Sequence, residues 1–164
     1  MAPGRFAITL NAVLSEEAAQ IALPVAFQIR QTFEEAETFS EAVDRLSQAV
    51  IPGNCLLLVS GIGPGEMLVI ERTPTRSAIR QAEAGRVIVA NDYLKLDAET
   101  TLANTELQSS SCGRYSRVAT LLQKPPTGLQ GCLDYLRNPA VKMSITVQQM
   151  AFHAASGGSS WRAA

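Results

Sequence analysis

The sequence contains few of the residues that most often carry hydrolytic or metal chemistry. A single histidine, His153, argues against a histidine-based metal site or a Ser-His-Asp triad within one copy of the chain. The three cysteines, Cys55, Cys112 and Cys132, are an odd number at wide, irregular spacing. That pattern fits neither a disulfide framework nor a paired-cysteine zinc site. Free thiols in a reducing, cytoplasmic setting are therefore expected, with no metal.

Long apolar runs and a surplus of basic residues are also missing. No apolar run approaches the roughly 18 to 20 residues that cross a bilayer, and the opening residues 1–5 are too short and broken for a secretory signal. Fourteen basic side chains against fifteen acidic ones leave a net charge of −1, so nucleic acid is not an expected partner. The 164 residues, 46% hydrophobic and 18% charged, predict one globular domain over 1–164.

The hydrophobic patterns predict an α+β chain. The first strand follows Pro3-Gly4 directly and is closed by Asn11, which suggests that part of the fold lies upstream. Thr38 and Glu41 form a capping box that starts an amphipathic helix. Short connections indicate antiparallel pairing. The predicted strands are 6–10, 55–59, 67–71, 77–81, 86–90 and 145–152, with a terminal strand around Trp161; the predicted helices are 23–33, 39–50, 129–137 and one from Ser111 to the prolines at 125–126; residues 94–109 are interpreted as a surface excursion.

Four single features favour structural interpretations. The glycine loop at 61–65 precedes a strand rather than a helix and lacks a following Lys-Ser/Thr, so it indicates a tight hairpin rather than a phosphate site, and no cofactor is expected. Cys55 lies in a continuous apolar strand and is interpreted as core. Cys112 stands at a helix start near Arg114, where its pKa could be lowered, but no histidine base is near it in sequence. His153 is interpreted as a solvated or hydrogen-bonded residue of an edge strand.

Two asparagines and one arginine are candidate site residues. Asn11 and Asn91 each follow an apolar strand, and a primary amide there can donate an N–H to negative charge developing on a carbonyl oxygen. Arg114 could fix a carboxylate or orient a nucleophile. Taken singly, each is more commonly a turn residue or a surface charge.

Four segments, in a fixed order along the chain, contain the three candidate residues. They are Ile-Thr-Leu-Asn-Ala at 8–12, the helix 39–50 running into Gly-Asn-Cys-Leu-Leu at 53–57, Val-Ala-Asn-Asp-Tyr at 89–93 and Gly-Arg-Tyr-Ser-Arg at 113–117. The set resembles the N-terminal-nucleophile (Ntn) amide hydrolases, which include choloylglycine hydrolase, acid ceramidase and the acyltransferase that processes isopenicillin N. The resemblance runs through nearly the whole chain, and the acyltransferase-like branch looks nearest.

The resemblance implies an αββα sandwich of mostly antiparallel sheets in which an N-terminal cysteine, exposed by self-cleavage, attacks an amide carbonyl with its own α-amino group as base. It implies that Asn11 and Asn91 donate to the oxyanion and that Arg114 lies beside the nucleophile. Ala12 stands where the ceramidase branch has glutamate, so ceramide-type specificity is not expected. In the family the cysteine precedes the matched region. This chain is therefore expected to be a C-terminal portion, incomplete at its N-terminus and inactive alone.

Three hypotheses follow. The first is a fragment or subunit of a linear-amide hydrolase or acyltransferase, acting on a small-molecule amide or acyl substrate and completed by an upstream segment or partner chain. The second is a non-catalytic binding or assembly module on the same scaffold, whose exposed sheet edge and apolar face drive oligomer formation. The third is an unrelated α+β enzyme that uses Cys112. The sequence leaves open the acyl group, the amine and the acyl acceptor.

Overall fold

The computed structural model describes residues 1–96 and 109–163, and most of the excursion interpreted over 94–109 lies outside these ranges. The α+β class with antiparallel sheets is confirmed. The elements in chain order are β1 (Ala7–Ala12), α1 (Val25–Glu35), α2 (Phe39–Gln48), β2 (Cys55–Ser60), β3 (Met67–Arg72), β4 (Ser77–Gln81), α3 (Ser111–Leu121), α4 (Gly128–Leu136), β5 (Gln148–His153) and β6 (Gly158–Ala163).

The first four strands form an antiparallel meander in the order β1-β2-β3-β4, as the short connections predict. Leu57 on β2 lies opposite Leu10 on β1 and Ile70 on β3, and β2 has buried residues facing both sides of the sheet. The glycine loop is the β2–β3 hairpin. Its Glu66 carboxylate accepts hydrogen bonds from the backbone N–H groups of Ile62 and Gly63.

One face of the meander packs against α1 and α2. Val43 and Leu46 of α2 meet Leu57 and Ile70 in one buried cluster. The Thr38 hydroxyl accepts from the Glu41 N–H, as the capping box predicts. The opposite end of α2 is capped by Arg72 of β3, a buried side chain that donates to the carbonyls of Leu46 and Ala49. Burial lowers the pKa of the Arg72 guanidinium.

The other face of the meander is covered by the segment 87–96, and the predicted strand at 86–90 is wrong. Residues 87–90 form no ladder with another strand. Side chains bond to their carbonyls instead: Arg80 Nη1 donates to Ile88 O at 2.7 Å, and Asn11 Nδ2 donates to Ala90 O at 2.9 Å. The cluster between the segment and the sheet contains Val13, Leu56, Val69, Tyr93 and Leu96.

A buried carboxylate holds the end of this segment against the sheet. Glu71 is 0% exposed and accepts hydrogen bonds from the three backbone N–H groups of 94–96, the closest contacts being 2.8–3.0 Å. It also pairs with Arg80 Nε at 3.2 Å. The Tyr93 hydroxyl donates to Arg72 O at 2.7 Å. The residues directly after Asn91 are therefore fixed in position by polar contacts.

The second sheet is the β5–β6 hairpin, which packs against α4. β5 begins at Gln148 rather than at 145 as predicted, because residues 143–146 form a turn closed by the Met143 and Thr146 backbone. His153 Nδ1 shares a 2.7 Å hydrogen bond with the Ser156 hydroxyl and is exposed, as its interpretation as an edge residue predicts. Within 1–96 and 109–163, no helix has both the length and the apolar character needed to cross a bilayer.

Candidate functional site

Two asparagine side chains join the end of β1 to the segment after the meander. Asn11 Nδ2 donates to Ala90 O at 2.9 Å, and Asn91 Nδ2 donates to Ala12 O at 2.6 Å. These reciprocal bonds bring together two amides that lie 80 positions apart in the sequence. The prediction that Asn11 closes its strand needs a small correction, because β1 continues to Ala12 and Asn11 lies opposite Leu56 in the ladder.

The orientation of the Asn91 amide is fixed from both sides. Arg114 Nη2 donates to Asn91 Oδ1 at 2.8 Å. Because a guanidinium carries only donors, the amide oxygen must face Arg114 and the Nδ2 group must face away from it. The Asn91 backbone N–H donates to the Ser111 hydroxyl at 2.8 Å, and Arg114 Nε donates to the Ser110 hydroxyl at 3.0 Å. Asn91 is only 5% exposed, so its amide is held in one position.

The paired amides have the chemical capacity of an oxyanion site. Each Nδ2 group carries two hydrogens, and in the described part of the chain each has one acceptor. One N–H of each amide therefore has no acceptor among the described residues and can donate to a further group. Two fixed donors cost no reorganisation when negative charge develops on a carbonyl oxygen.

A small cavity is lined in part by the two chain neighbours of Asn91, while Asn11, Asn91 and Arg114 do not line it. It has a volume of about 130 Å³ and is lined by Ala90, Asp92, Leu94, Cys112, Tyr115 and Ser116. The thiol of Cys112 donates to Asp92 Oδ2 at 3.6 Å, and both residues line this cavity. Sequence reasoning gave no role to Asp92 or to Ser111. The only sequence signals were their positions, next to Asn91 and at the start of α3.

The three cysteines differ in environment, which predicts a specific labelling pattern. Cys55 is buried, and burial raises the pKa of its thiol to about 11, whereas Cys112 is exposed. At pH 7 roughly one Cys55 in 10⁴ is a thiolate. With a mild thiol electrophile, we expect the exposed Cys112 to label far faster than the buried Cys55, as measured by intact mass and peptide mapping.

The same measurement tests the hypothesis of a Cys112 enzyme. Labelling of Cys112 well above the rate of a simple thiol would favour it, and rapid labelling of Cys55 in the folded chain would contradict the burial of that thiol.

As for metals, no group of three histidine, cysteine, aspartate or glutamate side chains in the described ranges could hold an ion.

Comparison with known proteins identifies the family of this chain. The family model of acyl-coenzyme A:6-aminopenicillanic acid acyl-transferase matches residues 6–141, well over half of the chain. The chain belongs to this family. Its fold is similar to that of the Caenorhabditis elegans N-acylethanolamine-hydrolyzing acid amidase ortholog, with a TM-score of 0.62 and 22% identity over 89% of this chain. The chain covers 64% of that relative's length. No curated protein matches the sequence.

These findings confirm the resemblance to the Ntn amide hydrolases and the Ntn-like α+β fold. The matched range 6–141 contains Asn11, Asn91 and Arg114, all three of the predicted site residues. The structure brings these three together in one hydrogen-bonded unit. Their chemical roles stay predictions.

Proposed function

We propose that this chain supplies the carbonyl-polarising part of the active site of a linear-amide C–N hydrolase or acyltransferase. Asn11 and Asn91 donate to the oxygen of the scissile carbonyl, and Arg114 fixes the Asn91 amide. The attacking thiol belongs to an N-terminal cysteine outside this sequence, on an upstream segment or a partner chain. The reciprocal hydrogen bonds of the two asparagines carry this proposal, since they support a convergent pair of donors.

The reaction follows the acyl-enzyme route. The thiol gives its proton to the α-amino group of its own residue, and the sulfur attacks the carbonyl carbon. The π electrons move onto the carbonyl oxygen, where the amides of Asn11 and Asn91 stabilise the charge. When the tetrahedral species collapses, the C–N bond breaks and the amine leaves with the proton. Water or a second amine then takes the acyl group from the thioester.

Cys55 and Cys112 are poorly suited to that role. Cys55 is buried under the helices, with its pKa raised by burial to about 11. Cys112 donates to a carboxylate, and the one histidine, His153, lies on β5 bonded to Ser156. A nucleophile with its own α-amino base needs no histidine.

Co-expression tests the proposal. We expect the purified chain alone to leave a fluorogenic N-acyl amide intact. Co-expression with the coding sequence directly upstream of Met1 is expected to give a self-processed complex that hydrolyses it. Mutation of the cysteine exposed by processing should abolish the activity. Activity of the chain alone at the level of the complex, or an upstream sequence with no cysteine-led strand, would contradict the proposal.

A second candidate is the non-catalytic assembly module, and one surface favours it. Met150, Phe152 and Trp161 lie on the same exposed face of the β5–β6 hairpin, and Met150 pairs with Trp161 across the strands. The hairpin also packs against α4, and an exposed apolar face of this kind commonly marks an interaction site. If co-expression gives a stable complex without hydrolytic activity, this candidate is the better account.

A further inference from the structure

A second, larger cavity lies near the small one. It has a volume of about 650 Å³ and lies between β4, the turn at 83–86 and one side of α3. Leu94 and Tyr115 line both this cavity and the 130 Å³ cavity beside Asn91. The two cavities are therefore neighbours, and the larger one reaches the residues of β4 and the turn at 83–86.

The wall of this cavity is positively charged. Arg80, Arg86 and Lys95 line it, and Glu83 is the one acidic residue among its described lining. Arg86 and Lys95 are exposed, whereas Glu71, which pairs with Arg80, is 0% exposed and accepts from the backbone of 94–96. Glu71 thus balances the charge of Arg80, and Arg86, which also donates to Leu122 O, and Lys95 supply the remaining positive charges of the wall.

The Arg80 guanidinium also has an unsatisfied donor. Its Nε pairs with Glu71 and its Nη1 donates to Ile88 O. Its Nη2 is buried and has no hydrogen-bond partner within the described residues. Leaving a charged donor buried and unpaired is costly, and such a group commonly marks the place of an absent water or ion. A small rearrangement that brings an anionic oxygen to Nη2 would remove this cost.

We propose that this cavity binds the carboxylate or phosphate group of a small-molecule ligand. Arg86 and Lys95 attract the anion, and Arg80 completes its coordination. The apolar part of the ligand lies along Leu94 and Tyr115, toward Asn91. The identity of this ligand as a substrate rests on the proposed function: it is then an acyl amide that carries an anionic group remote from its scissile bond.

Calorimetric binding to the purified chain tests the anion site without requiring catalysis. The probes are N-octanoylglycine, its neutral twin N-octanoylglycinamide, octyl phosphate and inorganic phosphate. Because a charge-assisted hydrogen bond contributes about 1.5–3 kcal/mol, we expect an anionic octanoyl probe to bind about 10- to 100-fold more tightly than the neutral twin. Binding of octyl phosphate shows whether a phosphate group can replace the carboxylate. Binding of inorganic phosphate shows whether the anion binds without an attached octyl group.

The variant R86Q/K95Q is expected to bring the affinity for the anionic probe down to that for the neutral twin. Arg80 is left in place, because its removal would leave Glu71 without its ion-pair partner. The matched control is R137Q/K142Q, which makes the same charge change in a separate cavity lined by Arg137 and Lys142. Equal affinity for charged and neutral probes, or loss of binding in the control instead, would overturn the proposal.

The binding and co-expression results distinguish a failure of the anion site from a failure of the proposed function. An anion preference in a chain whose co-expressed complex is inactive would contradict only the proposed function. An active complex without an anion preference would contradict only the anion site.

Discussion

Replacing Asn91 by alanine is expected to lower kcat of the co-expressed complex by about 10²- to 10³-fold, the usual effect of removing one oxyanion donor. KM is expected to change little, because the lost hydrogen bond strengthens only as charge develops on the carbonyl oxygen. Steady-state kinetics with one N-acyl amide substrate, on complexes of the same processing state, measure both constants. Asn11→Ala is expected to act in the same direction.

Asn138→Ala is the matched control for this substitution. Asn138 also accepts a hydrogen bond from an arginine, Arg117 Nε at 3.2 Å, but it lies beyond the end of α4. The control variant is expected to retain kcat within a few-fold. If Asn91→Ala were equally active while remaining folded, or if both variants lost activity alike, the oxyanion role of Asn91 would be refuted.

The two site asparagines are also expected to be coupled. Each amide bonds the backbone that carries the other, so the first substitution disturbs the position of the remaining donor. The double variant N11A/N91A is therefore expected to lose less activity than the product of the two single losses. Strictly multiplicative losses would indicate that the two donors act independently.

The parts of the fold that the sequence predicts are those set by local patterns. The continuous apolar run at 55–59 correctly indicates a strand buried on both faces, and Thr38 correctly marks the start of α2. The apolar run at 87–90 favours the strand predicted over 86–90, which does not form. Its carbonyls are bonded by Asn11 and Arg80, and a side-chain donor from a distant position leaves no trace in local periodicity.

The candidate site also contains residues that the sequence predicts and residues that it does not. Asn11, Asn91 and Arg114 are predictable because they stand in recognisable segments of a family. Glu71 is not, since a glutamate at the end of the apolar run 67–70 is usually a solvated residue. Its partners are mainly backbone N–H groups of 94–96, and no residue type marks such a contact in a sequence. The contacts that hold the candidate site in place are therefore harder to predict from the sequence than the site residues themselves.

Glu71→Gln is expected to lower the free energy of unfolding by about 3 kcal/mol, because removing one partner of a buried ion pair leaves the other charge uncompensated. The substitution keeps the side-chain volume, so a packing defect does not contribute. The amide nitrogen of glutamine is a donor, so in the position of Glu71 Oε1 it cannot accept from the Leu94 N–H or from Arg80 Nε. Urea unfolding of the purified chain gives the stability, and hydrogen exchange at 94–96 gives the local effect.

Glu66→Gln is the control, because Glu66 also accepts from two backbone N–H groups but lies half-buried in the β2–β3 loop. Its expected loss is below about 1 kcal/mol. The double variant E71Q/R80Q should be less destabilised than the sum of the two single variants, since it leaves no unpaired charge. Faster exchange at 94–96 in Glu71→Gln alone would show that this carboxylate holds the segment next to Asn91. Equal losses in Glu71→Gln and Glu66→Gln would show that it does not.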